Sequence, residues 1–432
     1  MSPPHRVHLC SPMFDKTVLP NGLRVVSSDL PHTRSVSICF FVGAGSRYES
    51  REIAGVSHFL EHMLFKGTRR RPSAREISSE IEGIGGLMNA GTDKELTVFW
   101  AKVGDHRFAH ALDILADSLR NSLLDPTELE KERAVILEEL AMTEDNPGDI
   151  VNILIDELVW PDQPLGRDTG GTPESVRSIT RDDVVRYLEQ LYTPQNTVVA
   201  VAGNVCHQEV VDRVSQHLGD WEARPFGTWY PAEIKDNSPR LRLRAKRTEQ
   251  AHVCLATPGL SAAHPDRYVL DVLNAVLGEG MSSRLFLELR ERRSLCYDVH
   301  SYVNHYLDTG STVVNAGIDP RKVDLALRVI RDEIVKMGDD IPEAELIKAK
   351  EFIKGRLQLR MEDTRAVASW LGGQEILRRE ILTVDEVLKI VEDVTADELR
   401  RVARTLLRPQ AFRLAVVGPF RSEARFEKLL AA

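Results

Sequence analysis

The stretch from residue 110 to residue 140 reads HALDILADSLRNSLLDPTELEKERAVILEEL. Its apolar spacing predicts one helix, a short break with a proline, and a second helix that begins with acidic residues. Residues 325–357, LALRVIRDEIVKMGDDIPEAELIKAKEFIKGRL, predict the same order, with Lys348 in step with Lys131. Chance similarity between two amphipathic helix pairs is the alternative. Duplication is the better explanation, because 432 residues are enough for two domains of about 200 residues each.

The segments around this stretch predict a mixed fold. Residues 20–45 alternate apolar and polar side chains around turn residues, which predicts antiparallel strands. Further elements are predicted near residues 73–84 (helix), 95–103 (strand), 105–121 (helix) and 126–143 (helix). We therefore expect the α+β class, with two duplicated αβ domains that each pack a mainly antiparallel sheet against helices.

A weakly patterned stretch rich in proline and tryptophan, DWEARPFGTWYPAEIKDN, separates the two halves at residues 220–237. Such composition favours a connecting segment over a helix or strand. We predict an N-terminal domain at residues 12–220, a linker at 221–245, and a C-terminal homologous domain at 246–432.

Composition excludes several classes of partner. The formal net charge is −9, and no basic stripe with interleaved aromatic residues occurs, so nucleic acid is not an expected partner. The first residues lack the apolar segment of a signal peptide, and no stretch is long and apolar enough to span a membrane. We therefore expect no membrane partner.

The cysteines indicate a reducing compartment. The chain has five, Cys10, Cys39, Cys206, Cys254 and Cys296, an odd and scattered set without a CxxC pair. This pattern favours reduced thiols and a cytoplasmic location over a disulfide framework.

The two halves differ in side chains suited to chemistry. When residues 110–140 are aligned with 325–357, Glu139 of the first half stands opposite Arg356 of the second. The first half also contains HFLEHMLFKGT at residues 58–68, and the matching region of the second half, NAVLGEGMSSRLF, has no histidine. One half therefore carries a cluster that the other lacks.

In that motif His58 and His62 are four residues apart, so a helix places them one turn apart on one face. Glu61 lies along the edge of the same face, and the opposite face is apolar. Two neutral imidazoles in this arrangement can reach one divalent cation, and Zn²⁺ favours such nitrogen ligands.

A catalytic zinc ion takes three protein ligands and leaves a position for water, whose pKa falls to about 7. Glu61 stands beside the histidines without being needed as a ligand, so it suits the role of general base. The order HxxEH is the inverse of the zincin order HExxH.

The third ligand is expected from the helix at 126–143. Glu132 and Glu139 are seven residues apart, which places them two turns apart on one helix face that should pack inward. We predict Glu139 as the ligand and Glu132 as the carboxylate that orients one histidine through its other ring nitrogen. The alternative is that both are solvated helix charges.

A second histidine pair, His106 and His110, also has the spacing of one helical turn. It has no glutamate between the histidines and it opens a helix directly after Asp105. A solvated role is therefore favoured over metal binding for this pair.

The stretch GVSHFLEHMLFKGT (55–68), together with ELEKERAVILEEL (128–140), resembles the inverted-motif zinc metallopeptidases, which include pitrilysin, insulin-degrading enzyme and the mitochondrial processing peptidase. The resemblance runs the length of the chain and includes LPNGLRVV (19–26), GLMNAGTDKELTVFWAKV (86–103) and LGEGMSSRLFLELRERRSLCYDVHS (277–301). The length is similar to that of the two-domain branch of processing peptidase subunits and their bacterial relatives. This branch implies a bowl-shaped protomer and substrates limited to peptides or unfolded segments.

The resemblance implies a role for each residue that matches the family pattern. It implies Zn²⁺ as the cofactor, Glu61 as the base and Glu132 as the supporting carboxylate. The zinc ligands that it implies are His58, His62 and Glu139, and the family spacing selects Glu139 over its neighbour.

Four further residues follow from the resemblance alone. Arg290 and Tyr297 match a pair that holds the substrate carbonyl, although without the resemblance they would be a charged helix end and a strand tyrosine. Asn89 and Ala90 match positions that contact the substrate backbone, and the strand from residue 95 would be the open edge to which substrate adds. The chain has NAGTDKELT where the family often has NAxTSxExT, which leaves the selectivity of this edge open.

Because the chain carries both HxxEH and the arginine–tyrosine pair, it resembles the self-sufficient members of the family. We expect a zinc-dependent endopeptidase that forms a homodimer, with each zinc site facing Arg290 and Tyr297 of the other protomer. Two alternatives remain: a catalytically silent binding or scaffold subunit, and a maturation protease dedicated to one peptide.

Overall fold

The computed structural model describes residues 13–233 and 239–431. The strands are β1 (Asp15–Val18), β2 (Arg24–Asp29), β3 (Ser35–Val42), β4 (Leu87–Thr92), β5 (Thr97–Gly104), β6 (Thr197–Gly203), β7 (Leu241–Ala245), β8 (Ala251–Pro258), β9 (Cys296–His305), β10 (Gly310–Ile318) and β11 (Arg413–Gly418). The helices of the first half are α1 (Val56–Leu64), α2 (Ala74–Glu82), α3 (Phe108–Asn121), α4 (Pro126–Asp145), α5 (Pro147–Val159), α6 (Pro173–Ser178), α7 (Arg181–Leu191) and α8 (His207–Leu218). The helices of the second half are α9 (Arg267–Gly278), α10 (Val323–Lys336), α11 (Glu343–Arg360), α12 (Thr364–Arg378), α13 (Val384–Asp393), α14 (Ala396–Leu406) and α15 (Ala424–Ala431), and a π-helical segment spans Phe286–Arg292.

The two sheets share one plan. The first has the order β1-β2-β6-β3-β5-β4 and the second has the order β7-β11-β8-β10-β9. Apart from β1, each begins with a parallel pair, β2 with β6 and β7 with β11, and all other neighbours are antiparallel. The helix pair α3–α4 follows β5 just as α10–α11 follows β10. This match confirms the predicted α+β fold with two duplicated, mainly antiparallel domains.

Two expectations about the first sheet need correction. The strands predicted within residues 20–45 form, but β2 and β3 are not neighbours, because β6 inserts between them. The strand that follows residue 95 is not the open edge, since β5 lies between β3 and β4. The edge strand on this side of the sheet is β4, because residues 87–92 themselves pair with β5, Asn89 opposite Trp100.

Each half contributes one helix to the sheet of the other half. Helix α5 of the first half packs on the second sheet through Ile150, Val151 and Ile155, which contact Cys254 and Val417. Conversely, α12 of the second half packs on the first sheet. Because both sheets are covered by helices from both halves, apolar burial joins the halves directly.

The predicted linker is largely fixed to its surroundings. Residues 241–245, assigned above to the linker, instead form strand β7 of the second sheet. The side chain of Gln163 bonds both the amide and the carbonyl of Glu233. Cys10, residue 12 of the predicted first domain, residues 234–238 of the linker and residue 432 lie outside the described residues.

No helix within residues 13–233 and 239–431 combines the length and the apolar character needed to cross a membrane. Within the same ranges Cys39, Cys206, Cys254 and Cys296 are free thiols.

Candidate metal centre

Helix α1 carries the HxxEH motif and is fixed at its first turn by Glu49. Its apolar face, which includes Phe59, Leu60 and Met63, is fully buried in the core of the first half. The buried Glu49 carboxylate accepts hydrogen bonds from the amides of Gly55 (2.7 Å) and Ser57 (2.9 Å). Burial raises the pKa of Glu49 to about 7, although these hydrogen bonds favour the charged form and so act to lower the pKa. A carboxylate six residues before Gly55 and eight before Ser57 therefore satisfies amides that the helix itself leaves free.

The segment after α1 is tied to α3 by an arginine–aspartate cluster. Both carboxylate oxygens of Asp113 accept bonds of 2.7 Å from the guanidinium of Arg70, and Arg71 bonds the same carboxylate at 2.7 Å. Arg71 also bonds Asp117, which is buried. The cluster fixes the C-terminal end of the motif helix against the body of the domain.

Replacing Asp113 with asparagine should make the free energy of unfolding vary less with pH in the acidic range. Although burial raises the pKa of Asp113, the hydrogen bonds from Arg70 and Arg71 hold it down at about 2. Because this pKa lies below the ordinary value of 3.8, the carboxylate stabilises the fold above about pH 4, and the gain is lost as the pH falls through about 2. We expect D113N to lower the free energy of unfolding by about 1–2 kcal/mol at pH 7, with partial solvation reducing the effect. In urea titrations from pH 7 to pH 2, the difference in free energy of unfolding between wild type and D113N should shrink as the pH falls. A difference that stays constant would contradict the assignment.

The structure brings His58, His62 and Glu139 together. The Nε2 atoms of the two histidines are 3.3 Å apart, and Oε2 of Glu139 lies 3.8 Å from Nε2 of His58 and 3.7 Å from Nε2 of His62. Two nitrogens that bind one tetrahedral zinc ion at about 2 Å are roughly 3.3 Å apart, so the imidazole pair fits zinc. Among the described residues this is the one group of three histidine, cysteine or acidic side chains close enough to hold a metal ion.

Glu132 lies behind His62, at the position predicted for an orienting carboxylate. Its Oε2 is 3.0 Å from Nδ1 of His62, and its Oε1 is 2.7 Å from the ammonium of Lys66. The carboxylate is buried, so Lys66 supplies the opposite charge that a buried acid needs. The sequence reasoning missed Lys66, although its position one turn after His62 is a signal that could have found it.

The surroundings of His58 disfavour its charged form. Burial, and then the neighbouring His62, lower the pKa of His58, against the charges of Glu61 and Asp168. A neutral imidazole is the form that binds a metal ion. The Nδ1 atom of His58 is buried and has no hydrogen-bond partner among the residues that the structure describes.

Glu61 stands beside the three side chains that could hold a metal ion and is bonded to the edge strand β4. Its Oε2 accepts a hydrogen bond from the hydroxyl of Thr92, the last residue of β4. The sequence reasoning gave no role to Thr92. Its position two residues after Ala90, on the same face of a strand, is the signal that could have found it.

Asn89 and Ala90 lie on β4, the open edge of the first sheet. The amide of Ala90 donates to the side-chain Oδ1 of Asn89 at 2.8 Å, so this amide is directed away from β5. An edge amide of this kind can bond an added strand once the Asn89 side chain moves aside.

Arg290 and Tyr297 lie together in the second half. The guanidinium of Arg290, in the π-helical segment, stacks over the ring of Tyr297, on β9, at 4.7 Å from the ring centroid. Tyr297 is 75% exposed. In the part of the chain that the structure describes, no hydrogen bond or ion pair joins either residue to the three metal-binding side chains.

The second histidine pair has solvated surroundings. The side chain of His106 is 72% exposed, and Nε2 of His110 lies 3.5 Å from Oε2 of Glu80. The pair belongs to no group that could hold a metal ion among the described residues.

Substitution of His62 with alanine should abolish stoichiometric zinc binding, because it removes one of three ligands and leaves Glu132 without its imidazole partner. Elemental analysis of purified H62A should find far less than one zinc ion per chain. His110→Ala is the matched control, since this histidine also lies on a helix of the first half and should leave zinc content unchanged. Full zinc content in H62A would place the metal elsewhere.

Comparison with known proteins matches both halves of the chain. Residues 24–173 match the family model described as Insulinase (Peptidase family M16), and residues 178–353 match the model described as Peptidase M16 inactive domain. An uncharacterized zinc protease of Streptomyces coelicolor is 40% identical, over 94% of this chain and 90% of its own length. An uncharacterized zinc protease of Bacillus subtilis is 38% identical, over 94% of this chain and 98% of its own.

Two solved structures share the fold. A protease from Helicobacter pylori matches with a TM-score of 0.87 at 23% identity, covering 94% of this chain and 99% of that one. A chain of Complex III2 from Candida albicans matches with a TM-score of 0.83 at 20% identity, covering 96% of this chain and 99% of that one. The match to the inactive-domain model begins near the end of the first half and continues into the second, and it does not include HxxEH.

Proposed function

Because the chain belongs to the insulinase family, peptidase family M16, we propose that it is a zinc-dependent endopeptidase that cleaves peptides or unfolded segments. The observation that carries the proposal is the convergence of two imidazoles and one carboxylate, with Glu61 beside them and bonded to an open strand edge.

His58, His62 and Glu139 would hold the metal ion. Zinc bound there would supply a Lewis acid that polarises the scissile carbonyl and lowers the pKa of a water molecule to about 7. Glu61 accepts the proton of the attacking water and passes it to the leaving amine. The hydrogen bond from Thr92 to Oε2 orients this carboxylate, so Oε1 is the oxygen that takes the proton.

Substrate binds as an added strand along β4. The amide of Ala90 exchanges its bond to the Asn89 side chain for a bond to a substrate carbonyl. Since Thr92 lies on the same strand and bonds Glu61, the strand that orients the peptide also orients the base.

Arg290 and Tyr297 stabilise the developing oxyanion from the second protomer of a homodimer. This arrangement is supported by the exposure of Tyr297 and by the absence, among the described residues, of any bond from the pair to the metal-binding side chains of its own chain. The free thiols of the described cysteines support a reducing, cytoplasmic location.

Tyr297→Phe should lower turnover by about 10²–10³-fold, because it removes one oxyanion donor. Tyr230→Phe is the control: this tyrosine is 46% exposed and bonds Arg47 through its backbone carbonyl, which the substitution retains. Co-expressed E61Q and Y297F subunits should regain activity if the sites are shared, since the mixed dimer has one site with both residues intact. No activity above that of the separate variants would contradict the shared site.

Metal analysis and a cleavage assay test the function itself. About one zinc ion per chain, and cleavage of a mixed quenched-fluorescent peptide library that a chelator abolishes, would support the peptidase. Zinc without cleavage would favour a silent binding subunit or a maturation protease dedicated to one peptide. A protein without zinc would contradict the proposal.

A further inference from the structure

The two histidines of the HxxEH motif differ in how their second ring nitrogens are supported. Nδ1 of His62 is bonded to Glu132, whereas Nδ1 of His58 is buried and has no hydrogen-bond partner within residues 13–233 and 239–431. The Nε2 atoms of both rings face Glu139, so a metal ion would bind at Nε2 and leave the ring proton on Nδ1. A buried N–H without an acceptor is destabilising. His58 in the zinc-loaded protein therefore needs an acceptor that the bonds described so far do not supply.

A loop from the N-terminal side of α6 passes close to this nitrogen. A Cβ atom added at Gly170 would lie 3.8 Å from Nδ1 of His58, 3.5 Å from Oδ1 of Asp168 and 3.1 Å from a methyl carbon of Leu140. Because residue 170 is glycine, no Cβ atom occupies this position, which lies within 4 Å of both the imidazole and the carboxylate.

The carboxylate of Asp168 is already fixed on one side. Its Oδ1 accepts the amide of Gly170 at 2.8 Å, within the loop itself. The same carboxylate lines a cavity of about 340 Å³ with Lys94, Asp149 and Asp156, whose ammonium and carboxylate groups show that the surroundings are polar. An aspartate held in this way needs only a small rotation, or one bridging water, to reach the imidazole.

We propose that Asp168 is the positioning residue for His58, accepting its Nδ1–H directly or through one water when zinc is bound. Each histidine ligand then has its own carboxylate, Glu132 for His62 and Asp168 for His58. Such partners fix the ring orientation and raise the basicity of the ligand. This inference rests on the zinc site of the proposed function and adds a residue to it.

Asp168→Asn tests the inference through zinc affinity, measured on the full chain by competition with a fluorescent chelator. Asparagine keeps the size of the side chain and an oxygen for the Gly170 amide, but it removes the charge. We expect the apparent zinc dissociation constant to rise by about 10–100-fold, with an unchanged thermal midpoint of the metal-free protein. Glu132→Gln should give a loss in the same range. Asp149→Asn is the matched control, because Asp149 is exposed and lines the same cavity.

Gly170→Ala is a second variant that leaves Asp168 in place and fills the space between it and His58. It should also weaken zinc binding. Wild-type affinity in both variants would overturn the inference, and so would a loss of affinity in D168N matched by a loss of metal-free stability. Because no substrate is used, the zinc affinities decide the role of Asp168 even if the protein binds zinc and does not cleave the peptide library. A wild-type protein without zinc would overturn both.

Discussion

Replacing Glu61 with glutamine is expected to lower peptide turnover at least ~10²-fold while zinc stays bound, which is the effect of removing a general base. Glutamine has the size of glutamate and keeps an oxygen that can accept the Thr92 hydroxyl. It has no basic oxygen to take a proton from water. Since Glu61 is not among the three side chains that converge as a metal site, zinc content should not change.

The experiment compares wild-type protein, E61Q and E138Q in a peptide-cleavage assay with parallel elemental analysis. Glu138 is the matched control, because it is an exposed glutamate directly beside the proposed ligand Glu139. E138Q should match wild type in both turnover and zinc. Turnover of E61Q within a few-fold of wild type would refute the assigned base, whereas loss of zinc from E61Q would make Glu61 a ligand.

Local periodicity was sufficient to predict the helices that carry the site. The i, i+4 spacing of His58 and His62 and the seven-residue spacing of Glu132 and Glu139 are properties of one helix each, and α1 and α4 form where the pattern placed them. An acid on an inward face needs a partner, which suggested that the two helices meet, but the choice of Glu139 over its neighbour rested on the family resemblance.

The pairing of strands from distant segments was harder to predict from the sequence. Residues 20–45 show that two strands form, but nothing within them shows that β6, from residues 197–203, lies between those strands. The edge was misassigned for the same reason: β4 is short, contains Gly91 and is only partly buried, so its sequence is not that of an apolar strand.

Contacts to the site from loops and strand ends were harder to predict. Thr92 bonds Glu61 and Lys66 bonds Glu132, and each has only a weak signal in its spacing. The sequence gives no signal for the loop of Asp168 that lies near His58. A polar residue of an ordinary kind is more often a solvated side chain, and the fold is what shows these contacts. The exchange of α5 and α12 between the sheets is a further property of long-range packing.

A buried cluster around Arg47 connects the two halves beside strand β4. Arg47 is fully buried and bonds Glu95 of the β4–β5 turn at 2.5 Å, Asp308 of the second half, and the carbonyl of Tyr230 at 3.0 Å. The amide of Leu307 also bonds Glu95. The turn that follows β4 is thus held by groups from both halves.

We expect Arg47→Met to lower the free energy of unfolding by about 3–5 kcal/mol at pH 7, because it leaves Glu95 buried without its cation. Burial already raises the pKa of Glu95, and losing Arg47 raises it further. A buried carboxyl with a raised pKa is least destabilising in its protonated form, so the loss of stability should shrink as the pH falls toward 5.

The double variant R47M/E95Q, which removes both charges, should be less destabilised than R47M alone. Urea titrations of the three proteins at pH 7 and pH 5 provide the comparison. A deficit below about 1 kcal/mol, the value typical of an exposed ion pair, would mean that the charges between the halves contribute little and that the exchanged helices α5 and α12 provide the cohesion.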